Sequence, residues 1–187
     1  MKKQHPHIYQ DIEGFFNFEK LYSDIADWIP DGGRWVEVGV YKGRSFSYGI
    51  VEALNRGKTI EFIAVDGFPK GWEQILRSGE KVMGLYRAFV ECMEPLNTHF
   101  WTIEGESSAV ASRLEDGSVD FCFIDANHTR PFIDNDIKAG LPKMKPGGII
   151  AGHDYNEPWT GVIEAVNEAF GDRVEHVTES NCWLVRL

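Results

Sequence analysis

Cysteine is scarce in this chain: Cys92, Cys122 and Cys182 are the only three in 187 residues. The number is odd, and no C-x-x-C pair or other metal-type spacing occurs. A disulfide framework is therefore excluded as the source of stability, and a reducing cytoplasm is the expected compartment. Long hydrophobic runs are also lacking. No stretch approaches the roughly 18 apolar residues of a membrane span, and Met1 to Gln10 is polar and contains Pro6, without the apolar core of a signal peptide. Positive charge is in deficit, with 19 Lys and Arg against 29 Asp and Glu and a net charge of −10. That balance offers no broad footprint for phosphate backbones or anionic lipid, so neither nucleic acid nor membrane is an expected partner.

What is present is the composition of an ordinary globular protein, with 43% hydrophobic and 26% charged residues. No internal repeat, linker-like stretch or composition shift interrupts it, so one domain over residues 1–187 is expected. Residues 1–33 read as a helical lead-in: Phe18, Leu21, Tyr22, Ile25, Trp28 and Ile29 recur at helical spacing until Pro30-Asp31-Gly32-Gly33 stops them. Trp35 to Val40 then reads as a strand, Lys42 to Ser45 as a glycine turn, and Phe46, Ile50, Ala53 and Leu54 as a helical face closed by Gly57. The unit repeats with a strand over Ile60 to Asp66 and a helix displaying Val82, Tyr86, Phe89, Val90 and Met93. Residues 67–79, between them, form the longest irregular stretch and a candidate lid or acceptor loop.

Further strands are expected at Phe100 to Ile103, Val119 to Ile124 and Ile149 to Ala151, with helices around Val110 to Leu114, after Pro131 and after Pro158. Val174 to Val177 and Cys182 to Leu187 read as a closing hairpin. Alternating strands and helices predict an α/β, Rossmann-like, doubly wound and mostly parallel sheet, with helices on both faces and a C-terminal antiparallel hairpin. Such sheets bind ligands beyond the carboxyl ends of their strands.

At those ends the chemistry-bearing residues gather. The first turn reads Glu37-Val-Gly39-Val-Tyr41-Lys-Gly43-Arg-Ser45. A dinucleotide fingerprint would require a second glycine where Tyr41 stands. Lys42 and Arg44 flank the turn, where they could meet an anionic substrate, although charges at a helix start are more commonly solvated. Asp66 ends the second strand, Phe123-Ile-Asp-Ala-Asn-His128 ends another, and Lys145-Pro-Gly-Gly-Ile-Ile leads to Gly152-His-Asp-Tyr.

From about Trp35 onward, these motifs together resemble the class I S-adenosylmethionine-dependent methyltransferases, and among them small bacterial enzymes related to catechol O-methyltransferase. The resemblance implies that Gly39, Tyr41, Gly43 and Ser45 line the methionine part of the cofactor, with Glu37 beneath it. It implies that Asp66, with Gly67 beside it, accepts from the ribose hydroxyls, a role suited to a carboxylate because it offers only acceptors. Asp125 belongs to the same cofactor wall. Ser107 and Ser108 resemble the adenine-contacting positions, and serines after a strand also cap helices.

Asp125 and Asp154 come from two strand ends and would repel each other at one cleft edge. A shared divalent cation removes that repulsion, and oxygen ligands suit Mg²⁺; in the relatives, matching acids hold Mg²⁺ against the acceptor. There the second acid is followed by Asn, whereas Tyr155 stands here. His128 resembles the general base, because imidazole titrates near neutral pH, and a ligand role for it is also open. His153 reads as a buried supporting histidine, and Cys122 as a small buried hydrophobe. Phe68, Trp72, Tyr155 and Trp159 fall in loops at the same edge, as acceptor-stacking surfaces or as plain packing.

The expected function is S-adenosylmethionine-dependent O-methylation of a small-molecule hydroxyl, with Mg²⁺ assisting. The alternatives are a metal-independent small-molecule methyltransferase and a non-catalytic module that binds S-adenosylmethionine. A homo-oligomer stays open, since a second subunit could complete the site.

Overall fold

The computed structural model describes residues 4–69, 73–76 and 78–187. Nine strands are seen among them: β1 (Arg34–Val38), β2 (Glu61–Asp66), β3 (Glu73–Ile75), β4 (Lys81–Met83), β5 (Phe100–Glu104), β6 (Val119–Ile124), β7 (Met144–Gly152), β8 (Glu175–Val177) and β9 (Cys182–Arg186). The helices are α1 (Glu19–Trp28), α2 (Arg44–Arg56), α3 (Leu85–Met93), α4 (Ser107–Arg113), α5 (Phe132–Gly140) and α6 (Thr160–Phe170). A seven-stranded sheet runs in the order β5-β2-β1-β6-β7-β9-β8. The pairs from β5 to β7 are parallel, while β9 lies antiparallel to both β7 and β8. The Rossmann-like sheet and its terminal hairpin therefore form as the alternation predicts.

The strand order reverses between β1 and β6, and this is where a doubly wound sheet opens a crevice for ligands. The period of two along each strand sorts the core into two faces. Trp35, Phe62, Phe121 and Phe123 point to one face, where they meet Phe18 and Tyr22 of the lead-in and Phe46 of α2. Val36, Val38, Ile63, Val65, Cys122 and Ile124 point to the other, against Val110, Ile133, Ile137, Val162 and Val166 of the remaining helices. The first face is aromatic: Trp35 lies 4.7 Å from Phe121 and 4.9 Å from Tyr22 between ring centroids. Glu37 shares a face with Trp35, so the alternation drives a carboxyl group into this aromatic layer.

Two segments depart from the sequence reading. Residues 67–79 are not wholly irregular, because β3 and β4 pair as an antiparallel hairpin with Gln74 opposite Val82. Val82, expected on the helix, sits on β4, and α3 begins only after Gly84, whose φ of 95° breaks the chain direction. Gly79, at φ 81°, makes the hairpin turn. Residues 1–33 are more than a leading helix. Ile12, Phe16 and Phe18, all ahead of α1, are buried in the aromatic core. No helix among the described residues is long and apolar enough to cross a membrane.

Candidate active site

The sheet's hydrogen-bond ladder continues one residue past the strands and so fixes the site residues in register. Gly39 N–H donates to the Val65 carbonyl at 2.8 Å, Asp125 N–H to that of Val38 at 2.8 Å, and His153 N–H to that of Ile124 at 3.2 Å. Gly39 is required by packing: a Cβ there, at φ 92°, would run into the Asp125 and Ala126 backbone. The ends of β1 and β6 are thereby held against each other at the point where the order reverses.

Asp66 organises the next loop. One oxygen accepts from the Tyr41 amide at 2.9 Å and the other from the Phe68 amide at 2.7 Å. Both of those residues have positive φ, 50° and 40°, a region costly for aromatic side chains. A half-buried carboxylate thus clamps two strained turns. Burial raises its pKa, while the two amide bonds work in the opposite direction. With about four lone-pair sites on a carboxylate, two remain for a ligand.

Glu37 is fully buried and accepts from Tyr22 Oη at 2.7 Å and Ser45 Oγ at 2.6 Å. Burial pushes its carboxyl up to about 8, against the lowering effect of those two bonds. It sits beneath the glycine turn as a largely protonated anchor at neutral pH.

Two cavities open above these residues. The larger, about 580 Å³, is walled by Gly39, Tyr41, Asp66, Gly67, Ser107 and Asp125 among others, and reaches His128 and Trp159. The smaller, about 410 Å³, is walled by Phe15, Arg44, Ser45, His153 and Asp154. Gly39, Tyr41, Asp125, His128 and Trp159 line both, so they form the boundary between them. Gly43 and Ser108 line neither. Gly43, at φ 89°, starts α2 with its α-carbon turned toward Met93, and Ser108 is exposed. Ser107 is buried and hydrogen-bonded to Asp136.

At the boundary, His128 Nε2 lies 2.8 Å from Asp154 Oδ2 and 3.4 Å from Asp125 Oδ1. Hydrogen bonding to Asp125 and Asp154 raises its pKa to about 9 despite partial burial. Its ring is 4.6 Å from that of Trp159. His153 is buried, with Nδ1 3.2 Å from Asp154 Oδ1 and Nε2 3.2 Å from Asn17 Oδ1. Burial opposes protonation of His153, yet the Asp154 and Asp125 carboxylates raise its pKa on balance. Burial alone would raise the Asp154 carboxyl, but the two histidines hold it well below the usual carboxylate range. Asp154 has φ 59°, which a short polar side chain tolerates.

Asp125, His128 and Asp154 offer ligand atoms within 4.8 Å of one another. Two carboxylates and an imidazole match a divalent ion by donor type, so the residues fit such a group. Tyr155 is engaged elsewhere, its hydroxyl donating to Asn167 at 2.6 Å.

A methyltransferase-domain family profile matches residues 36–155, more than half of the chain. The chain belongs to that family. It is a class I, S-adenosylmethionine-dependent methyltransferase in family and fold. A Staphylococcus aureus protein assigned as a caffeoyl-CoA O-methyltransferase is 10% identical, with TM-score 0.66 over 95% of this chain and 86% of its own. Cofactor-bound Rv0187 from MTB gives TM-score 0.64 at 14% identity over 94% and 81%. The O-methyltransferase NovP gives 0.59 at 14% identity over 90% and 78%. No curated protein sequence matches the chain.

Several residues of this methyltransferase's site were not foreseen. Phe15 and Gly14 of the lead-in wall the smaller cavity, and Asn17 supports His153. The dense run Glu13-Gly-Phe-Phe-Asn-Phe18 was the available signal, a glycine among aromatics ahead of the first helix. Lys42 is not solvated as charges at that place commonly are: it is 1% exposed, and its Nζ meets Glu13 at 2.7 Å. Of the loop aromatics, Trp159 lines both cavities, whereas Phe68 is buried against Phe89 and Tyr155 packs on His176. Trp72 lies outside the described residues. Burial pushes the Cys122 thiol up to about 12, so it packs as an inert hydrophobe.

Proposed function

We propose that the protein transfers the methyl group of S-adenosylmethionine to a hydroxyl of a small acceptor. The carrying observation is the pair of adjoining cavities that share a wall at Asp125 and His128. The larger has the Asp66 carboxylate for a nucleoside ribose, and its volume falls in the range of small-molecule sites. Gly39, Tyr41, Gly67 and Asp125 join Asp66 in holding the cofactor there, with Ser107 toward the base. Gly43 and Glu37 act from beneath by shaping the turn, and Ser45 bonds Glu37 while lining the smaller cavity. Ser108, exposed and off the wall, has no place in this assignment.

S-adenosylmethionine brings a methyl group that is already electrophilic, so the chain's task is alignment and exclusion of water. Restricting two partners to one line is worth up to roughly 7 to 11 kcal/mol. Tyr41 and Trp159, on the shared wall, keep the reacting partners aligned and the junction dry. Asp125 and Asp154 would hold a divalent ion, which would supply Lewis-acid polarisation of the acceptor hydroxyl. His128 Nε2, in its neutral form, takes the hydroxyl proton as the general base.

One observation favours a second reading. His128 already bridges both carboxylates as a cation would, so a metal-independent transferase can use Asp125 and Asp154 to orient the acceptor directly. NovP, a structural neighbour, is an O-methyltransferase, which agrees with hydroxyl acceptors in either reading. Calorimetry with S-adenosylhomocysteine, followed by a phenol and sugar acceptor screen with EDTA or with added Mg²⁺, tests the proposal. Turnover that depends on Mg²⁺ selects the first reading, turnover indifferent to EDTA selects the second, and no S-adenosylhomocysteine binding removes both.

A further inference from the structure

The segment ahead of α1 is held in an unusual way. From residue 13 to residue 17 its backbone makes no hydrogen bond to other backbone among the described residues, so neither a helix nor a sheet ladder fixes this stretch and its side chains must. Ile12, Phe16 and Phe18 supply the apolar part of that hold in the aromatic core. Three polar tethers reach different parts of the site. The Ile12 carbonyl accepts from Arg44 Nη1 at 3.1 Å, Glu13 Oε2 meets Lys42 Nζ at 2.7 Å, and Asn17 Oδ1 lies 3.2 Å from His153 Nε2. At the other end of the segment, His5 and Asn55 of α2 exchange two hydrogen bonds, from the His5 amide at 2.7 Å and to the His5 carbonyl at 3.0 Å.

The tether between Glu13 and Lys42 is unequal. The Lys42 side chain is 1% exposed and that of Glu13 is 67% exposed, so the ammonium lies beneath the segment while the opposite charge rides on it. Lys42 belongs to the glycine turn, where its Nζ stands 5.6 Å from the ring of Tyr41, the residue whose amide Asp66 holds. Docking the segment takes the ammonium out of water, a step that is costly unless an opposite charge goes with it. Glu13 brings that charge. The docking of the segment and the conformation of the turn therefore depend on one ion pair.

We propose that residues 4–18 form a strap whose docking is coupled to occupancy of the cofactor turn, with Glu13 as a positioning residue that acts through Lys42. The docked strap covers Lys42 beside Tyr41 and sets Gly14 and Phe15 into the cavity wall. A cofactor binds this closed turn better than the turn with the strap lifted, and by linkage its binding holds the strap down to the same extent. The inference rests on the methyltransferase reading above and adds to it a control of cofactor affinity by a segment ahead of the first helix.

Two measurements on the full chain test this. Calorimetry titrates S-adenosylhomocysteine into wild type, E13Q, K42M and the double variant. E13Q should weaken binding about tenfold, because the strap then has to bury an ammonium without its opposite charge. With K42M there is no ammonium to bury, so adding E13Q to it should change affinity by less than about twofold. The same loss in both backgrounds, or no loss in E13Q, overturns the proposal. Tighter binding in E13Q also overturns it, since Lys42 would then serve the cofactor's own carboxylate. The second measurement is hydrogen exchange of wild type over residues 4–11, which line neither cavity and so cannot be shielded by a ligand there. S-adenosylhomocysteine should slow that exchange about tenfold, and this comparison decides even where a variant does not fold. Binding with exchange unchanged there sinks the coupling alone, whereas a wild type that binds no S-adenosylhomocysteine removes the methyltransferase reading and the coupling with it.

Discussion

Glu37 should make the stability of the ligand-free protein fall with rising pH, and Glu37→Gln should remove that dependence. The carboxyl is 0% exposed, between Tyr22 and Ser45, and burial pushes it up to about 8, against 4.5 in an exposed chain. Below pH 4.5 both folded and unfolded forms hold the proton, and the group's stabilising contribution is fully present. Between 4.5 and 8 the folded form keeps the proton that the unfolded form has lost, so stability falls by up to about 1.4 kcal/mol per pH unit. Above 8 the contribution is gone. From pH 5 to pH 8 the difference in unfolding free energy between wild type and E37Q should therefore shrink by about 3 to 4 kcal/mol. Urea unfolding followed by circular dichroism at each pH measures it, with equal slopes in urea showing that only stability has changed. Wild-type and E37Q curves that run parallel across this range would refute the reasoning and show Glu37 to be ionised in the folded protein.

Other perturbations probe the same site. Asp66→Ala strips the acceptor from two amides at positive φ, which should cost about 1 to 3 kcal/mol per amide and weaken S-adenosylhomocysteine by at least tenfold; calorimetry with unaltered affinity would remove Asp66 from the cofactor wall. Gly39→Ala drives a methyl into the Asp125 backbone at a left-handed φ and should cost more than about 2 kcal/mol; a melting temperature equal to wild type would show that the β1 and β6 ends are not locked together. His128→Ala should lower kcat by about 10² or more, and a wild-type pH–rate profile in that variant would take His128 out of proton transfer.

Much of the scaffold was legible in the order of residues, because period-two and helical patterns are local and survive without knowledge of neighbours. The strands carrying Glu37, Asp66 and Asp125, the glycine turn and the closing hairpin all follow from such patterns. The β3–β4 hairpin was not legible: its strands are three residues each, too short to show a period, and Val82 fits a helical spacing as well as a strand.

The sequence by itself determined which acids stand at strand ends, since a residue that ends a buried parallel strand must face the crevice. Only the tertiary structure decided what those acids meet. His128 on Asp154, Asp66 on the Tyr41 amide and Asn17 on His153 are contacts between segments far apart in the chain. The folded lead-in supplies Phe15 and Asn17 to the site, and its Glu13 pairs with the buried Lys42. The physical reason is that a side chain's charge, hydrogen bonding and exposure depend on which segments pack against it, and spacing within one segment does not encode its neighbours.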